Sequence, residues 1–485
     1  MLKTHTNIKL HPKALYTLIF SGFWERFGFY GTLTLLLLYL TNFFSYSNAN
    51  SYATWGAFIA LGYITPVVGG LLADYILGFE LTFLMGSLLM SLGYLLLSFQ
   101  IIPFLYVGMS LILCGSGLFK GTASNLIGML YAEGDVKKHD AYSKYFMGIS
   151  FGAIMGPFIF GLIVLYYNWY TAFLLSAVGN ALGLITFIFN HKKFNYQCLP
   201  IRPKILNNKL TRFFTVKQVL FSSLILTIIL VSFLFINPIL GNSFMGIASV
   251  SIILISVLFA IKGSFVNAKK IIGLTLLNLL LVFYYAAIFQ INGSFVIGIE
   301  KEFRIEIFGW LFPSATFASF QALFAILLTP FLIKLWMYLH KILFAPSLLF
   351  KIGIGLLCAT IGFSLLAFLF TNQSSPLFYI ILASVFIGMS TAAVMPSHVA
   401  IVSQYAPINL QGTLMGISYL SDALGGFVGS HMTKHAYSFK NVINNPSIYA
   451  NTYISISLLM LMLMLAWLLI SPFLTFLFNS NSVQA

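Results

Sequence analysis

The sequence predicts an all-α polytopic membrane protein of fourteen spans: two six-helix halves with two further helices between them. Three observations carry this. Sixty per cent of the 485 residues are hydrophobic and 7% are charged, whereas a soluble domain carries about 25% charged residues. The apolar residues gather into fourteen segments, each long enough to cross a hydrocarbon core ~30 Å thick at ~1.5 Å per residue. The lysines and arginines fall between those segments, mostly on alternate sides, which is the pattern of topology signals. Once the spans are counted, no soluble domain of useful size remains. The net charge of +15 is therefore a membrane-orientation signal, and no nucleic-acid partner is expected.

The first six spans are expected at about 14–42, 52–77, 79–99, 102–131, 141–166 and 169–190. The leading MLKTHTNIKLHPK runs into a span too long for a cleavable signal core, so no signal peptide is expected. The longest basic connection, HKKFNYQCLPIRPKILNNKLTR, follows and forms the natural joint. Two extra spans at 216–237 and 243–262 come next. The remaining six lie near 270–298, 308–338, 347–371, 376–404, 409–433 and 449–478. The chain is thus expected to divide into an N-terminal six-helix bundle over 1–190, a basic linker with two extra helices over 191–269, and a C-terminal six-helix bundle over 270–485. MGIS occurs at Met147–Ser150 and again at Met415–Ser418, each time opening a glycine-rich helix. Related halves suit the repeat logic of secondary transporters, whose sites lie between repeats.

An even number of spans puts both termini on one side. With that side taken as the cytoplasm, 19 of the 25 basic residues fall in cytoplasmic segments; Lys301, Arg304, Lys434 and Lys440 lie outside, and Arg26 and Lys120 lie within spans. Both termini are therefore expected in the cytoplasm of a cell (inner) membrane. The three cysteines, Cys114, Cys198 and Cys358, are far apart and have no metal-ligand spacing. No phosphate cradle, nucleophile elbow, zinc motif or close pair of carboxylates within the spans occurs. No enzyme chemistry and no cofactor or metal are expected; movement of a polar solute across the lipid bilayer is.

The charged residues inside spans show where. In SGFWERFGFYG (21–31), Glu25 lies roughly 16 Å along its helix, where an unpartnered charge costs at least ~2.5 kcal/mol. Gly22, Arg26 and Tyr30 share one face by i, i+4, i+8 spacing, with Glu25 and Phe29 beside it. This reads as a wet cavity with glycine-made space. A structural ion pair is the plainer alternative, but desolvation makes such pairs poor sources of stability. Lys120, in GSGLFKGTASN, is the second intramembrane cation. Asp422, in SYLSDALGG, is the one acid deep in the second half's spans, with Ser418 and Gly426 four residues to either side. Gln290, in IFQINGS, is as consistent with a helix contact as with a ligand contact. His398 is a possible proton acceptor and, more commonly, such a residue is packed. Asp74, at the cytoplasmic end of the second span, reads as a conformational cap on neighbouring helix ends.

Several stretches together resemble the proton-dependent oligopeptide transporter family of the major facilitator superfamily. The opening stretch is similar to its E-x-x-E-R-F-x-Y-Y-G signature. GYITPVVGGLLADYILG (62–78), GLFKGTASNLIGMLY (117–131) and FMGISFGAIMGP (146–157) resemble its second, fourth and fifth spans. FQINGS (289–294), APSLLFKIG (345–353), VMPSHVAIVSQYAP (394–407) and GTLMGISYLSDALGG (412–426) extend the likeness. It implies the major facilitator fold, alternating access, and uptake of small peptides together with protons. It also implies that the signature's second glutamate is Glu25, its arginine Arg26, its last tyrosine Tyr30, the fourth-span lysine Lys120 and the seventh-span glutamine Gln290, with Tyr63 lining the cavity from the second span.

The departures are pointed. The signature's first glutamate is Gly22 and its first tyrosine Phe29. The fifth-span asparagine is Ser150. The seventh-span glutamate falls at Phe289, the following span's asparagine at Phe324, the tenth-span glutamate at Thr391 and the eleventh-span tryptophan at Ser418. The carboxylate-binding, cationic side is kept and the amine-binding, acidic side is lost. Arg26 and Lys120 against Glu25 leave one positive charge, which Asp422 would neutralise. Asp422 is therefore expected to partner Lys120 and to take the coupled proton. The apolar substitutions favour peptides with hydrophobic side chains. They also leave open a carrier of another carboxylated solute (an amino acid or organic anion), an exporter, or a transport-dead receptor or scaffold.

Overall fold

The computed structural model describes residues 12–73, 77–131, 137–190, 215–237, 265–342, 347–407, 411–437 and 447–478. The span expected at 243–262, Asp74 and most of the basic linker lie outside these residues. The helices are α1 (Lys13–Leu38), continued by a π turn at Tyr39–Phe43, α2 (Asn48–Leu72), α3 (Phe79–Ser98), α4 (Ile102–Met129), α5 (Lys137–Tyr166), α6 (Trp169–Asn190) and α7 (Val216–Ile236). There follow α8 (Phe265–Ile288), a 3-10 turn at Phe289–Asn292, α9 (Ser294–Glu302), a short antiparallel hairpin of β1 (Glu306–Ile307) and β2 (Trp310–Leu311), and α10 (Ser314–Ile342). The chain ends with α11 (Leu348–Asn372), α12 (Pro376–Tyr405), α13 (Gln411–Tyr437) and α14 (Ser447–Phe478). Among the described residues, ten helical segments are long and apolar enough to cross a membrane. Large apolar side chains such as Leu92, Leu182 and Leu469 stand exposed on them, as lipid requires.

Two expected boundaries need correction. The span read as one stretch over 270–298 is broken at Phe289–Asn292, and α9 carries it on to Glu302. Gly293, at φ −123° and ψ −100°, lies outside the helical region and turns the chain there. The span read as starting at 308 begins at Ser314, because 306–311 forms the hairpin instead. By contrast, the start expected at 347 is a genuine cap: the Ser347 hydroxyl accepts the Phe350 N–H at 3.1 Å.

The chain folds as two compact units. One comprises Met1–Phe29, Thr65–Ala153 and Tyr170–Leu230; the other comprises Tyr30–Ile64, Ile154–Trp169 and Val231–Ala485. The changeover on α2 lies beside Pro66, and that on α5 lies just before Pro157.

In the first unit α3 and α4 pack back to back. A Cβ on Gly86 would come within 2.8 Å of the Gly115 carbonyl oxygen, and one on Gly93 within 2.8 Å of that of Gly108. Both helices carry these glycines seven residues apart, so the pairs stack along one antiparallel seam. In lipid, where no hydrophobic drive joins helices, such close backbone approach supplies van der Waals contact instead. Buried hydroxyls find partners in their own helix: Ser87 bonds the Phe83 carbonyl at 3.0 Å and Thr122 that of Leu118 at 2.8 Å.

In the second unit α11 packs on α12 and α14, α10 on α12, and α8 on α13 and α14. The unit also contains residues 30–64 of α1 and α2, which close against α9 and α13. Trp55 donates its indole N–H to the Leu33 carbonyl at 3.0 Å and lies where a Cβ on Gly293 would be, 2.6 Å from its ring. Thr34 bonds Asn292 at 2.8 Å. Gly56 faces Ser430, with no room for a side chain between them.

Candidate functional site

The first unit gathers a charge cluster from α1 and α4. Glu25 is buried, and both of its oxygens are engaged: Ser116 Oγ donates to Oε1 at 2.9 Å, and Arg26 Nε lies 3.3 Å from Oε2. The Arg26 side chain keeps 22% of its surface exposed. Lys120, one turn beyond Ser116 on α4, places its Nζ over the Phe29 ring at 4.0 Å, a cation–π contact. Two cations thus answer one carboxylate. Tyr94 and Tyr145 feel both Glu25 and Arg26, and the Tyr94 hydroxyl is buried without a hydrogen-bond partner among the described residues. Ser150 lies half-buried on α5.

One expectation about this face is corrected. Gly22 does not open space for a solute. A Cβ there would meet Tyr145 and Ile149 at 2.8 Å, so the glycine admits α5 against α1.

The second unit holds the other candidates. Tyr63 packs edge-on against Phe289 at 5.7 Å, and Tyr30 lies half-buried on α1. Gln290 is buried in the 3-10 turn. Its amide donates to the Ala286 carbonyl at 3.3 Å, and its Oε1 has no partner among the described residues. Thr391 is buried; its hydroxyl accepts from Gln321 at 3.1 Å and reaches the Gly388 carbonyl at 2.9 Å. Ser418 is buried and bonds the Met415 carbonyl at 2.7 Å. Asp422 is 5% exposed, its Oδ1 has no partner among the described residues, and its carboxyl takes Tyr285 as side-chain hydrogen-bond partner. The Tyr285 hydroxyl also meets His398 Nδ1 at 3.3 Å, and His398 Nε2 meets Asn278 Oδ1 at 2.8 Å.

Ser116, Tyr94, Tyr285 and Asn278 escaped the sequence reading. Signals existed for three of them. Ser116 is four residues before Lys120 and so on its face, while Asn278 and Tyr285 are polar positions two turns apart on an apolar helix. Tyr94 had none, since only the fold brings α3 to Gly28 of α1.

With this geometry in hand, comparison with known proteins is decisive. The POT family profile matches residues 80–451. The chain belongs to the POT family. Its relatives include the uncharacterised transporter YclF of Bacillus subtilis, 27% identical over 85% of this chain and 86% of that one. The peptide transporter YePEPT of Yersinia enterocolitica is 27% identical, over 87% and 88%. Dipeptide and tripeptide permease B of Aliivibrio fischeri is 26% identical, over 87% and 85%. Among solved structures, a POT peptide transporter variant in complex with alafosfalin superposes with a TM-score of 0.82 at 24% identity, covering 97% of this chain and 96% of that one. A POT family transporter in complex with 5-aminolevulinic acid gives 0.81 at 24% identity, over 96% and 97%. These likenesses establish the fold, that of a multi-pass membrane transporter family. The family and its structural neighbours are transporters, not enzymes.

Proposed function

We propose that this chain takes up small peptides, di- and tripeptides, together with protons, by alternating access, and catalyses no covalent reaction. The observation that carries the reading is the cluster of Arg26 and Lys120 around a Glu25 whose two oxygens are already occupied. Two cations stand with one carboxylate in this cluster, and a peptide's terminal carboxylate is a matching counter-ion for it. The family assignment and the printed names of the peptide-carrying relatives support the same cargo. The basic residues orient the protein with both termini in the cytoplasm.

The roles follow. Arg26 and Lys120 hold the carboxylate, with Tyr30, Tyr63, Ser150, Gln290, Thr391 and Ser418 lining the peptide's path. Glu25 tunes Arg26. Asp422 takes the coupled proton and, when ionised, partners Lys120. Protonation from outside frees Lys120 for the peptide, and deprotonation inside restores the pair and expels the cargo. Asp74 caps helix ends in the conformational change. Asp422→Asn is expected to abolish uptake driven by an acid-outside gradient in liposomes while counterflow continues. Undiminished uphill uptake by that variant removes Asp422 from the scheme.

A second reading, a carrier of another carboxylated solute, draws on one observation. The Thr391 hydroxyl is committed to Gln321 and Gly388, and the family resemblance places the tenth-span acid at this position. A mixed panel of peptides, amino acids and organic acids in the same liposomes separates the two readings.

A further inference from the structure

The buried chain Asp422–Tyr285–His398–Asn278 belongs to α13, α8 and α12, and it has a direction. The amide oxygen of Asn278 can only accept, so His398 Nε2 must carry its hydrogen toward it. His398 Nδ1 is then a bare acceptor, and the Tyr285 hydroxyl at 3.3 Å donates to it. With its hydrogen spent there, the Tyr285 oxygen can only accept from its other partner, a protonated Asp422; an ionised Asp422 instead draws the Tyr285 hydrogen to itself. A protonated Asp422 completes the series as donor. With Asp422 protonated, every link points the same way, from Asp422 to His398, and all four residues are buried.

Placement gives the direction a use. Asp422 lies eleven residues into α13, about 16 Å from its start, and His398 lies seven residues, about 10 Å, from the end of α12. In the proposed orientation both helix ends are cytoplasmic, so the chain leads from mid-membrane toward the cytoplasm. Of the surrounding groups, α8 also supplies Tyr284, whose hydroxyl is held by Ser390 of α12 at 3.1 Å. Cys358 of α11 and Tyr63 of α2 act on Tyr284 and Tyr285. Asp422 is the one formally charged group among the partners of Tyr284, Tyr285 and His398 in the described residues.

We propose that His398 is the acceptor through which Asp422 releases its proton to the cytoplasmic side, with Tyr285 as the bridge and Asn278 as the positioning residue that fixes the imidazole tautomer. The transfer balances. The Asp422 O–H bond breaks as its proton joins the Tyr285 oxygen, while the original Tyr285 O–H bond breaks as that proton joins His398 Nδ1. The imidazolium then loses one proton to cytoplasmic water. The inference rests on Asp422 being the coupled site, and the test separates the two.

The test uses the full chain in liposomes with an acid-outside gradient and trialanine as probe. The relay requires His398→Asn and Tyr285→Phe, like Asp422→Asn, to lower gradient-driven uptake at least tenfold with counterflow still measurable. Wild-type uptake by His398→Asn beside a dead Asp422→Asn overturns the relay and leaves Asp422 standing; wild-type uptake by Asp422→Asn overturns both. Nitrogen-15 histidine spectra of the same chain in nanodiscs need no cargo and judge the relay even if trialanine is not carried or a variant misfolds. The wild type is expected to show His398 with its hydrogen on Nε2, and Tyr285→Phe to shift the Nδ1 resonance. A hydrogen on Nδ1 in the wild type, or an Nδ1 resonance indifferent to Tyr285→Phe, overturns the proposal.

Discussion

Glu25 accepts a hydroxyl from α4 on one oxygen and lies against the guanidinium next to it on the other, so part of its charge is already answered by Arg26. In the proposed reading a solute's carboxylate is answered by the cations of the first unit, and a solute's ammonium finds no acid at Thr391, where the family resemblance expects one. Blocking each end of the cargo in turn measures this asymmetry. C-terminal amidation of a tripeptide is expected to lower uptake at least tenfold, on the order of 1.4 kcal/mol or more. N-terminal acetylation is expected to cost less than about threefold. Equal losses from the two modifications would show that the second half still recognises an amine. Removal of Ser116 is milder chemistry: Ser116→Ala leaves Glu25 Oε1 without that donor, a cost of about 1–3 kcal/mol for a buried charged acceptor. A fall in melting temperature together with weakened peptide affinity is the expected readout.

The helices show which parts of the fold were legible beforehand. Span positions were, because apolar length is a property of the string itself: α3, α4 and α6 begin and end within about two residues of their expected places. The break at Phe289–Asn292 was not, because Gln290 and Gly293 look like ordinary polar and small residues inside an apolar run. Only the arrival of Trp55 shows that the kink makes a seat for a neighbour. Nor could Gly22 be assigned correctly, since spacing says which face a residue lies on and nothing of what arrives there. The packing of α2 on α13 is directly testable. Gly56→Leu must push against Ser430, and overpacking of this kind costs about 1–3 kcal/mol. A lower melting temperature and slower transport are expected; a melting temperature within error of the wild type would mean that the two helices are not held together at that point.

At the scale of the chain, the sign and placement of charge carry more than any single contact. Nineteen of 25 basic residues sit on the side proposed as cytoplasmic, and reporters fused to either terminus are expected to give cytoplasmic signals. A periplasmic signal from both would reverse the direction of every proton step argued above. The candidate residues themselves divide between the two compact units, with Glu25, Arg26, Lys120 and Ser150 in one and Tyr30, Tyr63, Gln290, Thr391, Ser418 and Asp422 in the other. The sequence reading could name these residues, yet the company they keep within each unit emerged only from the fold.

The glycine seam between α3 and α4 has a mechanical corollary. Where carbonyl oxygens lie this close to glycine Cα atoms, sliding by even part of a turn would drive the one into the other. The two helices must therefore travel as a single stiff rod. Whatever bending a transport cycle demands falls to neighbours with interrupted ladders, such as α2 at Pro66 and α5 at Pro157.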